Sequence, residues 1–367
     1  MTKKVLHVFG IMNRGGAELR TLSTLKDMRA KGVEYEFVVL SGQRGVLDEQ
    51  IINDGSQVHY CALGGMFLYR FSSLLRRGKY DVVHSHVSLV SGLILLLAWL
   101  FSVKIRIAHF RSTNDVESPG LARRIRDKLL RRLLLIFAHH IAGVCNAALD
   151  AFWHFDWRAD PRFKVIYNGF VQTEVAYQAD FWQGHLNLPR VDKVLLNVSR
   201  MHEQKNHPRL MEIFCDYCKL HQDAVLVLVG KEDPAIKQQL LALCKGKEAE
   251  TRLYFLGEQS NVLPFLYHAD LMLFPSKWEG LPGAVLESAS IGTQVLASSI
   301  PGVLEIAERL PIVQFLALNQ NNEAWVNVLV RMLANKPDRV SAQLSFKDSV
   351  FQLEHNVQQL YDLYTSV

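Results

Sequence analysis

Apolar residues fall in short unbroken runs separated by longer amphipathic stretches, and this rhythm persists along nearly the whole chain. Runs at 5–9, 37–40, 58–61, 81–84, 104–109, 140–144 and 164–167 are rich in Val, Ile and Phe, as expected of strands buried on both faces. Residues 193–198, 224–229, 252–256, 270–274 and 294–297 repeat the pattern in the second half. Helical spacing fills the intervals, so strand and helix alternate and the class predicted is α/β with parallel sheets. In the tail, 347–364, Val350, Leu353, Val357, Leu360 and Leu363 recur at steps of three or four and predict one helix. Asn168-Gly169 stops the first series. The expected organisation is a domain over 1–169, a second over 170–346, and a terminal segment, 347–367, returning to the first.

Composition changes this picture little. A chain of 367 residues, 49% hydrophobic and 21% charged, is long enough to fill two cores. A formal net charge of +5 suits anionic ligands or an anionic membrane surface without requiring nucleic acid. The most apolar stretch, 89–103, holds Gly92 and Ser102 and falls short of the ~20 residues a spanning helix needs, so it reads as a helix buried beside a sheet. The opening M-T-K-K-V-L-H-V-F-G has too short an apolar run for a signal-peptide core. Five cysteines, an odd number without framework spacing, point to a reduced, cytoplasmic setting. Cys215 and Cys218 form a C-x-x-C inside a helical pattern, with no second pair to complete a metal site.

Candidate chemistry sits where strands end. After the first strand, G-I-M-N-R-G-G-A-E opens a helix, and Gly15 and Gly16 let an anion approach backbone amides at its N-terminus. A dinucleotide fingerprint is missing: there is no G-x-G-x-x-G, and the strand at 37–40 ends in Ser41-Gly42 without a ribose-binding acid. This argues against a nicotinamide enzyme. His84 and His86 stand in V-V-H-S-H, and His109 and Arg111 in I-A-H-F-R-S-T. The H-S-H pair has no carboxylate or third histidine spaced to complete a metal site, so none is expected. Arg200 and Lys205, in S-R-M-H-E-Q-K-N-H, flank a helix start and fit a diphosphate by charge.

The densest stretch is 270–305, D-L-M-L-F-P-S-K-W-E-G-L-P-G-A-V-L-E-S-A-S-I-G-T-Q-V-L-A-S-S-I-P-G-V-L-E. A buried strand runs into a turn, Gly280-Leu281-Pro282-Gly283, whose amides point back over the strand ends as the next helix begins. Glu279 and Glu287 bracket that turn. Elsewhere, Arg123, Arg124, Arg126, Arg131 and Arg132 make a basic amphipathic segment, and Arg76 and Arg77 with Lys79 a smaller cluster. Either is a solvated helix face or a seat for anionic lipid.

The P-S-x-x-E-G-x-P motif followed by the second Glu, together with G-G-A-E, R-I-A-H, V-I-Y-N-G-F and R-x-x-x-x-K, resembles the retaining GT-B glycosyltransferases of family 4 over most of the chain. The resemblance implies two facing Rossmann-like domains with a cleft between them and a C-terminal helix crossing back. It implies transfer of a sugar, with retention, from a nucleotide diphosphate sugar to a hydroxyl of a glycan or lipid-linked acceptor, a UDP-sugar before a GDP-sugar, in cell-surface polysaccharide synthesis. The roles implied are His109 and Glu279 at the reacting sugar, and Gly15, Gly16, Arg200, Lys205 and the 280–283 turn on the diphosphate. Glu287 is implied on the ribose, and Gln259, Ser260 and Val262 beside the base. No tightly bound metal or other cofactor is implied, and the setting is the cytoplasm or the cytoplasmic face of a membrane. A sugar-nucleotide epimerase on the same fold and a non-catalytic sugar-nucleotide binder are the alternatives. Thr293 departs from the pattern, standing where many relatives have proline.

Overall fold

A computed structural model describes residues 2–113, 120–188 and 192–366. The chain divides into two compact units, one made of Met1–Gly169 with Leu353–Val367, the other of Phe170–Gln352.

The first unit is built on seven parallel strands: β1 Lys3–Phe9, β2 Val33–Val39, β3 Gln57–Tyr60, β4 Val82–Ser85, β5 Ile105–Phe110, β6 His140–Gly143 and β7 Phe163–Val165. Their spatial order is β3-β2-β1-β4-β5-β6-β7. The series therefore starts in the middle, grows outward to β3, and then crosses back to the other side of β1. Such a reversal leaves a crevice at the carboxyl ends of the two central strands, where the flanking connections run to opposite faces. The last helix, Leu353–Thr365, lays Leu353, Val357, Leu360, Leu363 and Tyr364 into this unit's core with Val5, Phe9, Tyr35, Val82 and Ile107. The apolar helix Ser91–Leu100 packs against Leu121–Phe137, and among the described residues no helix is long and apolar enough to cross a membrane.

The second unit carries six parallel strands: β8 Lys193–Val198, β9 Ala224–Val229, β10 Leu253–Phe255, β11 Leu271–Phe274, β12 Val295–Ser298 and β13 Val313–Leu316. Their order, β10-β9-β8-β11-β12-β13, reverses between β8 and β11. Cys215 and Cys218 lie buried in its core on the helix His207–Leu220 as free thiols, and burial pushes Cys218 up to about 12.

Two expectations need correcting. β13, with the half-polar sequence V-Q-F-L, was not predicted, because a single partner strand and Gln314 blur the apolar run. Nor is the tail one helix from 347. Arg339–Lys347 and Leu353–Thr365 are separate helices. Between them Ser349 accepts from the Phe351 amide and donates to the Phe346 carbonyl, while Phe351 accepts from the Phe170 amide at 2.9 Å. The helical spacing of the side chains continues through a break that only these backbone partners reveal.

Candidate functional site

In the second unit the reversal between β8 and β11 is the focus. β8 ends in Ser199-Arg200, and the loop to His207–Leu220 carries Lys205; β11 ends in Pro275-Ser276, and the loop to Gly283–Ser290 carries Glu279. Adjacent strands thus deliver adjacent loops. Lys205 Nζ lies 2.5 Å from Glu279 Oε1, and the ammonium also sits 5.2 Å over the Phe274 ring. Glu279 is only 9% exposed, so this is a mostly desolvated pair in which each charge supports the other. The loops are joined along their backbones as well. The Lys277 amide donates to the Gln204 carbonyl, the Gln204 side chain donates to the Trp278 carbonyl, and Lys277 Nζ meets Glu203 Oε1 at 2.9 Å.

Beneath the pair, Asn197 donates to the Leu273 carbonyl at 2.8 Å and Ser298 to the Ser276 carbonyl at 2.5 Å, binding β8 and β12 to the end of β11. Thr293 has a place in this frame: its hydroxyl donates to the Leu266 carbonyl and its carbonyl accepts from Ser288. His207, almost fully buried at the start of its helix, is pulled down to about 4 by burial and so stays neutral beside Lys205.

The turn at 280–283 offers backbone amides from Gly280, Leu281 and Gly283. Pro282 has no N–H, so it contributes shape rather than a donor, and the Leu281 side chain is buried. A Cβ on Gly302 would lie 1.7 Å from the Gly280 carbonyl oxygen, which explains why the helix Pro301–Ala307 begins with a glycine there. Arg200 is exposed at the end of β8, and Glu287 is half-buried one turn into its helix. The segment 259–262 follows β10; Gln259 spends its amide on the Leu256 carbonyl at 2.7 Å, and Ser260 is exposed. Val262 is half-buried and caps the short helix Leu263–His268.

The remaining predicted residues, Gly15, Gly16 and His109, belong to the first unit. Gly15 caps the helix Gly16–Ser23, but Glu18 folds its own carboxylate over it, 2.2 Å from where a Cβ would lie. Burial raises the Glu18 carboxyl, while its own backbone amide and Arg111 oppose the rise.

His109 sits in a cluster that the sequence did not disclose. In the parallel register His7 of β1 lies opposite His84 of β4, and β5 brings His109 alongside the end of β4. Strand periodicity puts His7, His84, His86 and His109 on one face. His7 Nδ1 is 3.0 Å from His86 Nε2, His84 Nε2 is 3.1 Å from His109 Nδ1, and His84 Nδ1 is 2.8 Å from the Tyr364 hydroxyl. Arg111 donates from Nε to His86 at 3.3 Å and from Nη1 to Asn168 at 2.8 Å. Burial, with Arg111 next, pulls His7 down to about 3. His84, His86 and His109 are all held well below the usual imidazole value, first by burial and then by one another and Arg111. The imidazoles are therefore neutral.

The expectation that no third histidine completes the H-S-H pair is overturned here, because His7, His84 and His86 bring ring nitrogens within 4.8 Å of one another. Spacing along one strand cannot show a ligand arriving from the neighbouring strand. A guanidinium touches one of these imidazoles, and among the described residues no carboxylate joins the three.

Known proteins resemble this chain along its length. Residues 15–169 match the family described as "Glycosyl transferase 4-like domain", and residues 178–344 the family "Glycosyl transferases group 1". The capsular polysaccharide biosynthesis glycosyltransferase CapH of Staphylococcus aureus is 30% identical over 368 residues, covering 99% of both chains. A UDP-Gal:alpha-D-GlcNAc-diphosphoundecaprenol alpha-1,3-galactosyltransferase of Escherichia coli is 27% identical over 307 residues, 79% of this chain and 76% of its own. Among solved structures, Anabaena Alr3699/HepE in complex with UDP superposes with a TM-score of 0.85 at 16% identity, covering 99% of this chain and 100% of that one.

Proposed function

Because this chain belongs to the family 4 glycosyltransferases of the GT-B fold, we propose that it moves a sugar, with retention at the anomeric carbon, from a UDP-sugar to a hydroxyl of a lipid-linked or growing glycan. The observation that carries the proposal is the Lys205–Glu279 pair, at 2.5 Å over the reversal point of the second sheet. Lys205 and Arg200 supply positive charge to the departing diphosphate, and the amides of Gly280, Leu281 and Gly283 add oriented dipoles, so that no tightly bound metal is required. Glu279, held in place by Lys205, positions the donor sugar. Glu287 takes the ribose hydroxyls, the 259–262 segment lies beside the base, and His109 meets a hydroxyl of the sugar. The leaving phosphate helps to deprotonate the acceptor on the same face. A UDP-sugar is favoured over a GDP-sugar because the similar Escherichia coli enzyme carries UDP-Gal in its name, and that name also points to a diphosphoundecaprenol-linked acceptor.

A lipid-linked acceptor makes a lipid-facing surface useful, and our candidate for it is the helix Leu121–Phe137. Leu121, Ile125 and Leu129 are 75%, 63% and 58% exposed at steps of four, with Arg124, Lys128 and Arg132 exposed around them. Arg123 and Arg126 pair instead with the buried Asp127, which leaves fewer cations for such a surface. Each cation near an anionic surface adds about 1 kcal/mol.

Thermal stabilisation by UDP, GDP, ADP and NAD at matched saturating concentration tests the donor class. At a hundredfold excess over its dissociation constant, a ligand adds about 2.7 kcal/mol. UDP alone should raise the melting temperature; a response only to NAD, or to none of the four, would refute the reading. Anomeric configuration of the product by NMR decides retention.

A further inference from the structure

We propose that the groove between the edge strand β3 and the helix Phe67–Gly78 binds an acidic glycan strand, with Arg70 and Arg77 holding its carboxylate or phosphate groups. The inference rests on the proposed function only for the source of such a strand, an acceptor longer than the sugar at its reacting end.

The helix buries Phe67, Phe71 and Leu75 at steps of four. The flank beside that stripe carries Arg70, Ser73 and Arg77, which line a cavity of about 700 Å³ together with Gln57 and His59 of β3 and Glu36 of β2. β3 is the end strand of its sheet, so the cavity lies at the sheet margin. Its floor is polar but satisfied from within. Glu36, 9% exposed, accepts from the Tyr80 hydroxyl at 2.5 Å, with His59 Nε2 at 2.8 Å and Lys4 Nζ at 2.9 Å. Among the described residues Glu36 is the one acid lining the cavity, and Lys4 balances it. The charge of Arg70 and Arg77 is left over. Both are exposed, and among the described residues neither has an ion pair or a hydrogen bond. A concavity with excess positive charge gathers anions.

The spacing narrows the class. Arg70 and Arg77 are seven residues apart, about 10 Å along the helix axis, so spaced negative groups on one extended ligand suit them better than a single phosphate. Each guanidinium offers a bidentate face to a carboxylate or phosphate. Nucleic acid, with a charge every ~1.7 Å of duplex, would call for a longer row of cations. A bilayer surface is flat, whereas these cations line a hollow. Ser73 lies between them, and Tyr69, 69% exposed, adds an aromatic face to the lining. A hydroxyl and a ring match the O–H and C–H groups of a sugar.

The groove also leads toward the crevice of this unit. Lys4, at the amino end of the sheet, donates to the carbonyl of Gly78, where the helix ends, at 3.4 Å, while Cys61 lines the cavity just past the carboxyl end of β3. Arg70 is therefore nearer than Arg77 to the carboxyl edge, where the sheet order reverses beside β1. A glycan with its end in the crevice would run past Arg70 to Arg77.

Isothermal titration of the full chain with a short oligogalacturonate, against a neutral malto-oligosaccharide of equal length, tests this at physiological ionic strength. The acidic strand should bind and the neutral one should not. Arg70→Ala with Arg77→Ala should weaken binding roughly tenfold or more, with circular dichroism unchanged. Arg124→Ala with Arg132→Ala removes the same charge from another helix and should leave affinity within about twofold. An equal loss in that control, equal binding of the neutral sugar, or undiminished binding without Arg70 and Arg77 overturns the proposal. So does displacement of the oligogalacturonate by an equal concentration of inorganic phosphate, or binding of phosphatidylglycerol vesicles through Arg70 and Arg77 in place of the soluble strand. The titration uses no donor, so a chain that transfers no sugar refutes the proposed function and leaves the binding result to decide this site.

Discussion

The two sheets reverse in the same way, yet the groups collected at the two reversals differ in kind. Between β8 and β11 they are ions: an ammonium and a carboxylate at 2.5 Å, with a guanidinium on the surface nearby. Between β1 and β4 they are neutral rings arranged in series under a buried guanidinium. The same topology therefore serves two purposes. One unit sets opposite charges against each other at its reversal, and the other buries neutral imidazoles there, linked ring to ring.

The largest expected effect would break the first half of this comparison. Lys205→Ala should lower kcat by at least 10²–10³-fold, the loss typical of one electrostatic donor, because it also leaves the carboxylate of Glu279 without its ammonium. Glu279→Gln should abolish transfer as well, and the double variant should be no worse than either single one. Steady-state kinetics with circular dichroism as the folding control decides this; near-wild-type turnover in either folded variant removes the pair from the mechanism. His109→Gln should come next, at roughly 10²-fold in kcat, with the melting shift produced by UDP unchanged.

Acid should separate the two units. A histidine held below its unfolded value of about 6.5 leaves the unfolded chain binding more protons at lower pH, so its stability contribution is complete above about 6.5 and is lost as pH falls toward the folded value. His7, at about 3, loses it across that whole window, at about 1.4 kcal/mol per pH unit. His84, His86 and His109 act in the same direction, whereas the second unit contributes His207, at about 4. Hydrogen exchange resolved by unit should show β1, β4 and β5 losing protection between pH 6.5 and 5 more steeply than β8 and β11.

Smaller effects sharpen the contrast. In Gly302→Ala the new methyl meets the Gly280 carbonyl oxygen, and the variant should lose about 1–3 kcal/mol in a denaturant titration, together with part of its activity, as the 280–283 turn shifts. Lys277→Ala removes only the exposed partner of Glu203 and should leave turnover within about twofold.

The second unit's site was legible in the sequence because each loop is a contiguous motif, and the neighbour relation between β8 and β11 follows from the fold. Lys205 and Glu279 each stand in a contiguous motif of the sequence. The first unit's network was not legible, since the contact between His84 and Tyr364 joins residues 280 positions apart and the contact between His7 and His86 joins different strands. No spacing rule reports such encounters. The anion-binding reading of Gly15 missed a local competitor for the same reason: Glu18 is visible in G-G-A-E, but not that its carboxylate folds back. β13 and the break at 348–352 escaped because both depend on backbone partners rather than on side-chain pattern.

The helix Leu353–Thr365 also constrains how the protein is made. It belongs to the first unit, yet the ribosome reaches it only after all of Phe170–Gln352 has been synthesised. At about 5–20 residues per second, those roughly 180 residues leave β1, β2 and β4 without the cover of Val357, Leu360 and Tyr364 for some 10–40 s. The second unit has every strand it needs before then. The later-synthesised unit is thus the first that can close its core, while the first unit keeps an apolar face uncovered until Leu353–Thr365 has been made.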